Sequence, residues 1–238
     1  MDEPTKTLLR IGHDISQLLT TTQVSSLYTL YFLDQAARES SESPHASWPE
    51  VVTRVYNGLR ALNIQHARIY HVDPSYYSWP LYERALCMQV PSPAHLCKLV
   101  VLENKHWRTP LETQQAHWAN AQYYAVLVQY VHTIDTKALA EYVRSLDGNK
   151  LARKHFKFRL ADPHVSKELT GYDKNGVSPI AMTHDVPVIM STSITQLQPP
   201  VFWLGAGHVD YKLALPIQTF IDATQCLVAP VSLPNGSD

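Results

Sequence analysis

Two runs in the middle of the chain, LCKLVVLEN (96–104) and YYAVLVQYV (123–131), constrain the fold more than anything else in the sequence. Both are too short to cross a bilayer, which takes roughly 18 or more apolar residues. Both are too continuously apolar for a surface position, so they read as buried central strands. Around them the pattern changes period repeatedly. ARIYHV (67–72) alternates like a strand, and FKFRLA (156–161), VPVIMST (186–192), VFWLGAG (201–207) and YKLALP (211–216) read the same way. Helical spacing appears in WPEVVTRVYNGLRALNI (48–64), where Val51, Val55, Leu59 and Leu62 share a face, and in WPLYERALCM (79–88). Asp135 caps TKALAEYVRSL (136–146), a helix stopped by Asp-Gly-Asn. DPHVSKELTG (162–171) is a short helix with Pro163 at its first position and Gly171 just past its end. IQTFIDAT (217–224) is a last helix. Irregular alternation with hairpin neighbours late in the chain predicts an α+β (mixed α/β) fold. The sheet is expected to be mixed and mostly antiparallel, or a partial barrel, with helices packed on it.

A length of 238 residues suits one large domain, or one domain with an appendage. Residues 5–38 show apolar spacings of three and four in two helical stretches broken at TTTQ, and the polar RESSESPHASWPE (38–50) follows as a linker. The expected division is a helical N-terminal extension over 1–46, a main domain over 47–233 and a disordered tail over 234–238. The extension is either a helical hairpin packed on the main domain or a docking element for another protein. With 45% hydrophobic and 17% charged residues the composition is that of a globular protein, and a net charge of −1 argues against a broad electrostatic grip on nucleic acid. Cys87, Cys97 and Cys226 are odd in number and widely spaced, which argues for a reducing compartment and against a disulfide framework. The N-terminus MDEPTK has no basic segment before its apolar residues, so a cytoplasmic protein without membrane contact is expected.

Four places could carry chemistry. Lys98 stands inside an apolar strand, where an ammonium needs a partner or a cleft. It is either an edge lysine reaching water or a fixed positive charge for an anion or a polarised carbonyl. The loop GYDKNGVSPIAM (171–182) carries two glycines and a proline, and its backbone N–H groups could hold an oxygen. It could equally be a connecting turn. LGAGHVDYK (204–212) is a glycine turn in which His208 and Asp210 could serve as acid or base, or a solvated hairpin end. KLARKHFKFR (150–159) is the one basic cluster, able to meet phosphates or to form a solvated face. The histidines show no metal-binding spacing, and neither a Gly-x-Ser-x-Gly elbow nor a Walker-type loop is present. No metal or other cofactor is expected.

The succession CKLVVL, DTKALAEYV, FRLADPHVSKELTGY, NGVSPIAM, VPVIMSTSI and FWLGAG resembles the YbaK/prolyl-tRNA synthetase-associated editing domain family, from about Trp48 to Val231. Members are aminoacyl-tRNA deacylases, which hydrolyse the ester of a wrongly charged tRNA. The resemblance implies Lys98 as the active-site lysine, and Gly176, Val177, Ser178 and Pro179 as the Gly-x-x-Pro part of the substrate loop. It implies Tyr70 as a pocket-side tyrosine, with Gly171 and Tyr172 starting the loop. Gly176 and Ser178 join Lys98 as catalytic candidates, Ser178 not as a nucleophile. Substrate-binding candidates are Tyr70, Gly171, Tyr172, Asn175, Val177, Pro179, Gly205, Gly207, His208 and Asp210. Asn175-Gly176 stands where the cysteine-directed members have a glycine pair, and Asn tolerates left-handed φ. Lys212 stands where they carry an aspartate, with Asp210 two positions earlier.

The implied reaction is hydrolysis of a tRNA ester carrying a small amino acid such as alanine, cysteine or serine. The loop backbone would hold the terminal adenosine and ester, Lys98 would fix a phosphate or carbonyl, and the ribose hydroxyl or the substrate's own side chain would assist attack. Lys150, Arg153, Lys154 and Lys157 are the candidates for tRNA contact. The expected partners are the aminoacylated acceptor end of tRNA and, through the N-terminal helices, an aminoacyl-tRNA synthetase or multisynthetase complex. The alternatives are a non-catalytic tRNA-binding or scaffold subunit of such a complex, and an unrelated hydrolase using Cys97 or Cys226.

Overall fold

The computed structural model describes residues 47–107, 118–146 and 148–236. The expected N-terminal helices and residues 108–117 lie outside the described residues. Six helices and ten strands are described: α1 (Glu50–Ala61), β1 (Arg68–His71), α2 (Leu81–Cys87), β2 (Cys97–Asn104), β3 (Tyr123–Gln129), β4 (His132–Ile134), α3 (Thr136–Leu146), β5 (Phe158–Leu160), α4 (Pro163–Thr170), β6 (Val188–Ser191), α5 (Thr192–Thr195), β7 (Val201–Gly205), β8 (Tyr211–Pro216), α6 (Ile217–Thr224), β9 (Leu227–Ala229) and β10 (Ser232–Pro234). A one-turn 3₁₀ helix, Tyr76–Ser78, precedes α2.

The two apolar runs are indeed central. β2 and β3 pair antiparallel in a five-stranded sheet of order β5-β2-β3-β6-β9, in which β3-β6 and β6-β9 are parallel. The run of β3 is almost wholly buried because both faces are covered. On one face Tyr124, Val126 and Val128 meet Leu139, Ala140 and Val143 of α3, whose start is capped by the Asp135 carboxylate accepting from Lys137 and Ala138. On the other, Leu99, Ala125 and Leu127 join Val55 and Leu59 of α1 and the inner face of a second sheet. That sheet is three-stranded and antiparallel, of order β1-β8-β7. β7 and β8 fall between β6 and β9 in the sequence, so a hairpin is inserted into a parallel crossover. β4 and β10 form a separate ribbon, and the sheets do not close into a barrel. Pro234 lies in β10, and Asn235 donates to the Val131 carbonyl, so pairing reaches into the expected tail.

Leu96 ties the sheets together. It forms a parallel bridge with Trp203 of β7, and its carbonyl accepts from Tyr130 at the end of β3. The outer face of the three-stranded sheet, with Trp203 and Ala214, is covered by the 72–96 segment through Val72, Tyr76, Met88 and Val90. This cover and the end of β2 carrying Lys98 therefore meet at one place.

Candidate functional site

The loop after α4 is positioned from its first residue. Asp162 accepts from the His164 N–H, Pro163 opens the helix, and Gly171 ends it at φ 73°. Arg54 of α1 then clamps the junction. Its Nη2 donates to the Gly171 carbonyl at 2.9 Å, and its guanidinium lies 4.3 Å over the Tyr172 ring. Tyr172 is 1% exposed and its hydroxyl donates to the Ile180 carbonyl at 2.6 Å, tying the start of the loop to its end. This tyrosine is a core post; its ring does not line an open surface. Ser178 is equally enclosed, its Oγ accepting from the Ile180 N–H at 3.3 Å.

Glycine serves here by what it lacks. The left-handed residue in the turn is Asn175, at φ 70°, as its tolerance of that region allows. Gly176 does not have positive φ. A Cβ at Gly176 would lie 2.8–2.9 Å from backbone atoms of Gly207 and His208. One at Gly205 would lie 2.6–2.8 Å from backbone atoms of Gly176 and Val177. The Gly207 N–H donates to the Gly176 carbonyl at 2.8 Å. The loop is thus pressed backbone to backbone on the β7–β8 turn. The Gly176 N–H is itself used, donating to the Asp173 carbonyl. Among the described residues the Val177 and Ser178 N–H groups have no acceptor. Ser178 is fully buried, so the donor open to an incoming oxygen is the Val177 N–H.

Two lysines flank this loop. Lys98 sits opposite Val128, half-buried, with its Nζ 5.4 Å from the centroid of the Tyr130 ring. Burial lowers its pKa from the ordinary lysine value. Lys212 of β8 stands in one row with Tyr70 of β1 and Gly205 of β7, so all three share the face on which the loop rests. Only 3% exposed, Lys212 donates to the Val209 carbonyl at 2.6 Å and to the Tyr77 hydroxyl at 3.2 Å, with the Tyr76 and Tyr77 rings beside it. Burial pulls its pKa down to about 7, Asp210 acting in the opposite direction and Arg84 adding a smaller downward push. The Tyr77 hydroxyl in turn donates to the Asn175 carbonyl at 2.7 Å and hydrogen-bonds Tyr130, the residue under Lys98. Arg84 fixes the 3₁₀ turn by donating to the Tyr77 and Trp79 carbonyls.

The sequence candidates divide accordingly. Lys98, Asn175, Gly176, Val177, Gly205 and Gly207 converge around this cluster. Tyr70 lies against Trp203 at 5.0 Å and accepts from Arg68 at 3.2 Å. Pro179 is buried beside Ser178. His208 and Asp210 occupy the β7–β8 turn with Nδ1 and Oδ2 3.7 Å apart. Sequence reading missed Tyr77, Tyr130, Arg84 and the burial of Lys212. The signal for Lys212 was available: like Lys98, it stands inside an apolar run, YKLALP. Lys150, Arg153, Lys154 and Lys157 are exposed at the other end of β2. There an open groove of about 690 Å³ is lined by Lys137, Arg153, Lys157, Arg159 and Leu160, among others. Arg153 is also 2.9 Å from Glu141. Among the described residues no three His, Cys, Asp or Glu side chains are grouped to hold a metal ion, and no helix is long and apolar enough to cross a membrane.

A family model, the aminoacyl-tRNA editing domain, matches residues 88–223, more than half of the chain; Lys98, Tyr130, the loop and Lys212 fall within the match, and Tyr70, Tyr77 and Arg84 precede it. The chain belongs to that family. The editing domain is similar in fold to three solved structures. One is a candidate trans-editing enzyme for prolyl tRNA synthetase, 18% identical, with a TM-score of 0.59 over 79% of this chain and 99% of the other. A second comes from computational grafting of epitope backbones onto scaffold proteins, at 14% identity and a TM-score of 0.59 over 78% and 99%. The third is a hypothetical protein, at 20% identity and a TM-score of 0.56 over 76% and 99%. No curated protein matches the chain.

Proposed function

We propose that this editing domain is a free-standing deacylase that hydrolyses the ester of tRNA mischarged with a small amino acid. The observation that carries the reading is the unpartnered N–H group of the half-buried Val177, in a loop linked to Lys98 through Tyr77 and Tyr130. An aminoacyl ester is already activated, so hydrolysis needs a held carbonyl, a placed water and a counter-charge more than a protein nucleophile. The Val177 N–H holds the ester or the terminal ribose. Lys98, half-buried beside the Tyr130 ring, fixes a carbonyl or phosphate oxygen. Ser178 supports the loop through the Ile180 N–H, and no imidazole or carboxylate touches it among the described residues to take its proton. Tyr70, Asn175, Pro179, Gly205, Gly207, His208 and Asp210 shape the walls and seam of the space over the loop.

The tRNA reaches beyond this site. The groove between α3 and β5 carries Lys137, Arg153, Lys157 and Arg159, with Lys150 and Lys154 nearby on the same basic segment. β5 pairs with Leu102–Asn104, so the groove is roughly 13–20 Å along β2 from Lys98 at the usual strand rise. The deciding measurement is release of amino acid from alanyl-, seryl-, cysteinyl- and threonyl-tRNA by the wild type and by Lys98→Ala. Release of one small amino acid, lost in the variant, is the expected result. No release from any of the four would overturn the deacylase reading in favour of a tRNA-binding subunit.

A further inference from the structure

We infer that Lys212 is a positioning residue, which acts through the Tyr77 hydroxyl to hold the Asn175 carbonyl and so keep the substrate loop seated, and that its ammonium form holds the loop most firmly. The geometry gives Tyr77 a saturated hydroxyl. It donates its one proton to Asn175, and its oxygen accepts from Lys212 Nζ and faces Tyr130. No other side chain among the described residues hydrogen-bonds Asn175. The tether reaches across 98 residues of sequence, from the cover of the outer sheet to the turn residue that precedes Gly176.

The protonation state of Lys212 decides where the Tyr77 proton goes. An ammonium has three donors and no acceptor, so it leaves the phenol proton to the Asn175 carbonyl and the Tyr130 hydroxyl alone. It also polarises the phenol, which strengthens the donated bond. A neutral amine offers a lone pair 3.2 Å away, and the phenol proton is then shared between that nitrogen and Asn175. The groups facing Lys212 are Asp210 on the turn, with His208 beside it, Arg84 from α2, Tyr76 and Tyr77 from the 3₁₀ turn, and Tyr70 from β1. Asp210 favours the ammonium; burial and Arg84 oppose it, and the change of state falls near neutrality.

The bond after the exposed Lys174 is adjacent to the tethered carbonyl, so trypsin reports on the tether without any tRNA. The rate of cleavage at Lys174–Asn175 in the folded protein is measured by mass spectrometry. It is divided by the rate in the free peptide GYDKNGVSPIAM, which removes the pH dependence of trypsin itself. From about pH 6 to about pH 8.5 the relative rate in the wild type should rise about 2- to 10-fold, the worth of one hydrogen bond. In Tyr77→Phe it should be fast at every pH. In Lys212→Met it should be intermediate and flat, while His208→Gln keeps the wild-type rise. A flat wild-type profile, a pH dependence that survives in Lys212→Met, or one abolished by His208→Gln would overturn the proposal.

The role of the seated loop in catalysis rests on the deacylase reading. There, Tyr77→Phe should raise KM for the released aminoacyl-tRNA more than it lowers kcat. Absence of deacylation leaves the cleavage result standing by itself, so the two readings fail separately.

Discussion

The two ends of β2 hold positive charge in opposite ways. At the Lys98 end the cations are few, enclosed by aromatic rings and tied to single atoms: Lys212 to Val209 and Tyr77, Arg84 to two carbonyls. At the other end four cations line an open groove beside Leu160, which is 70% exposed. Enclosed charge acts through geometry, because a low dielectric magnifies each contact and one misplacement is not averaged away. Exposed charge acts by number and is screened by salt over about 8–10 Å. Under the proposed function, one end discriminates atoms and the other collects phosphates.

Breaking the enclosed end should have the largest effect. Lys98→Ala is expected to lower deacylation about 10²- to 10³-fold, the usual cost of removing one preorganised stabilising group. That loss should be nearly the same at low and high salt, and a loss that salt reproduces in the wild type would erase the contrast. Next comes the cost of enclosure itself. Lys212 binds its proton more weakly when folded, near 7, than when unfolded, near 10.4. The unfolded chain therefore holds more protons between those values, and stability rises with pH across that window. Below about pH 7 the penalty is complete. Lys212→Met should raise stability by about 1–4 kcal/mol at pH 6, with the gain shrinking toward pH 10, as followed by denaturant unfolding. A Met variant less stable at pH 6 would mean the buried charge is better compensated than its surroundings indicate.

Gly205→Ala should cost about 1–3 kcal/mol and loosen the loop, since its Cβ would meet carbonyl and carbon atoms that cannot rotate away. Unchanged stability would show that the hairpin and loop can separate freely. Smallest per residue are the groove cations. Arg153→Ala and Arg159→Ala should each weaken tRNA binding by about 0.5–1 kcal/mol and reduce the slope of log affinity against log salt by about 0.7–0.9. Binding measured from low to high salt checks both, and an Arg153 effect below that of Arg159 would reflect its competing contact with Glu141.

Local signals were legible in the chain. Asp162-Pro163 and Gly171 bound a helix because capping chemistry is written within ten residues. LCKLVVLEN gave β2 within one residue of its observed start, since continuous burial leaves an unambiguous apolar run. Asn175 could be read as left-handed from its own side chain. What stayed hidden is what distance in sequence conceals. Tyr77 meets Asn175 across 98 positions and Lys212 across 135, and no pattern near any of the three announces the other two. β9 is three residues long, and parallel pairing on β6 defines it more than its own composition does. Gly176 shows only a glycine in the sequence, whereas its position demands an absent side chain, a requirement set by the backbone of Gly207 and His208 in a distant turn.

The glycine seam has a bearing on how such a pocket can diversify. Where main chain rests on main chain, substitution has nothing to adjust: the floor is a fixed datum, the same depth whatever surrounds it. Variation in what the space accepts must enter through the walls, and Tyr70, which takes no part in the Tyr77–Asn175 tether, is a wall residue that can be exchanged without unseating the loop. A library confined to Tyr70 would therefore explore substrate choice while leaving the depth of the site constant.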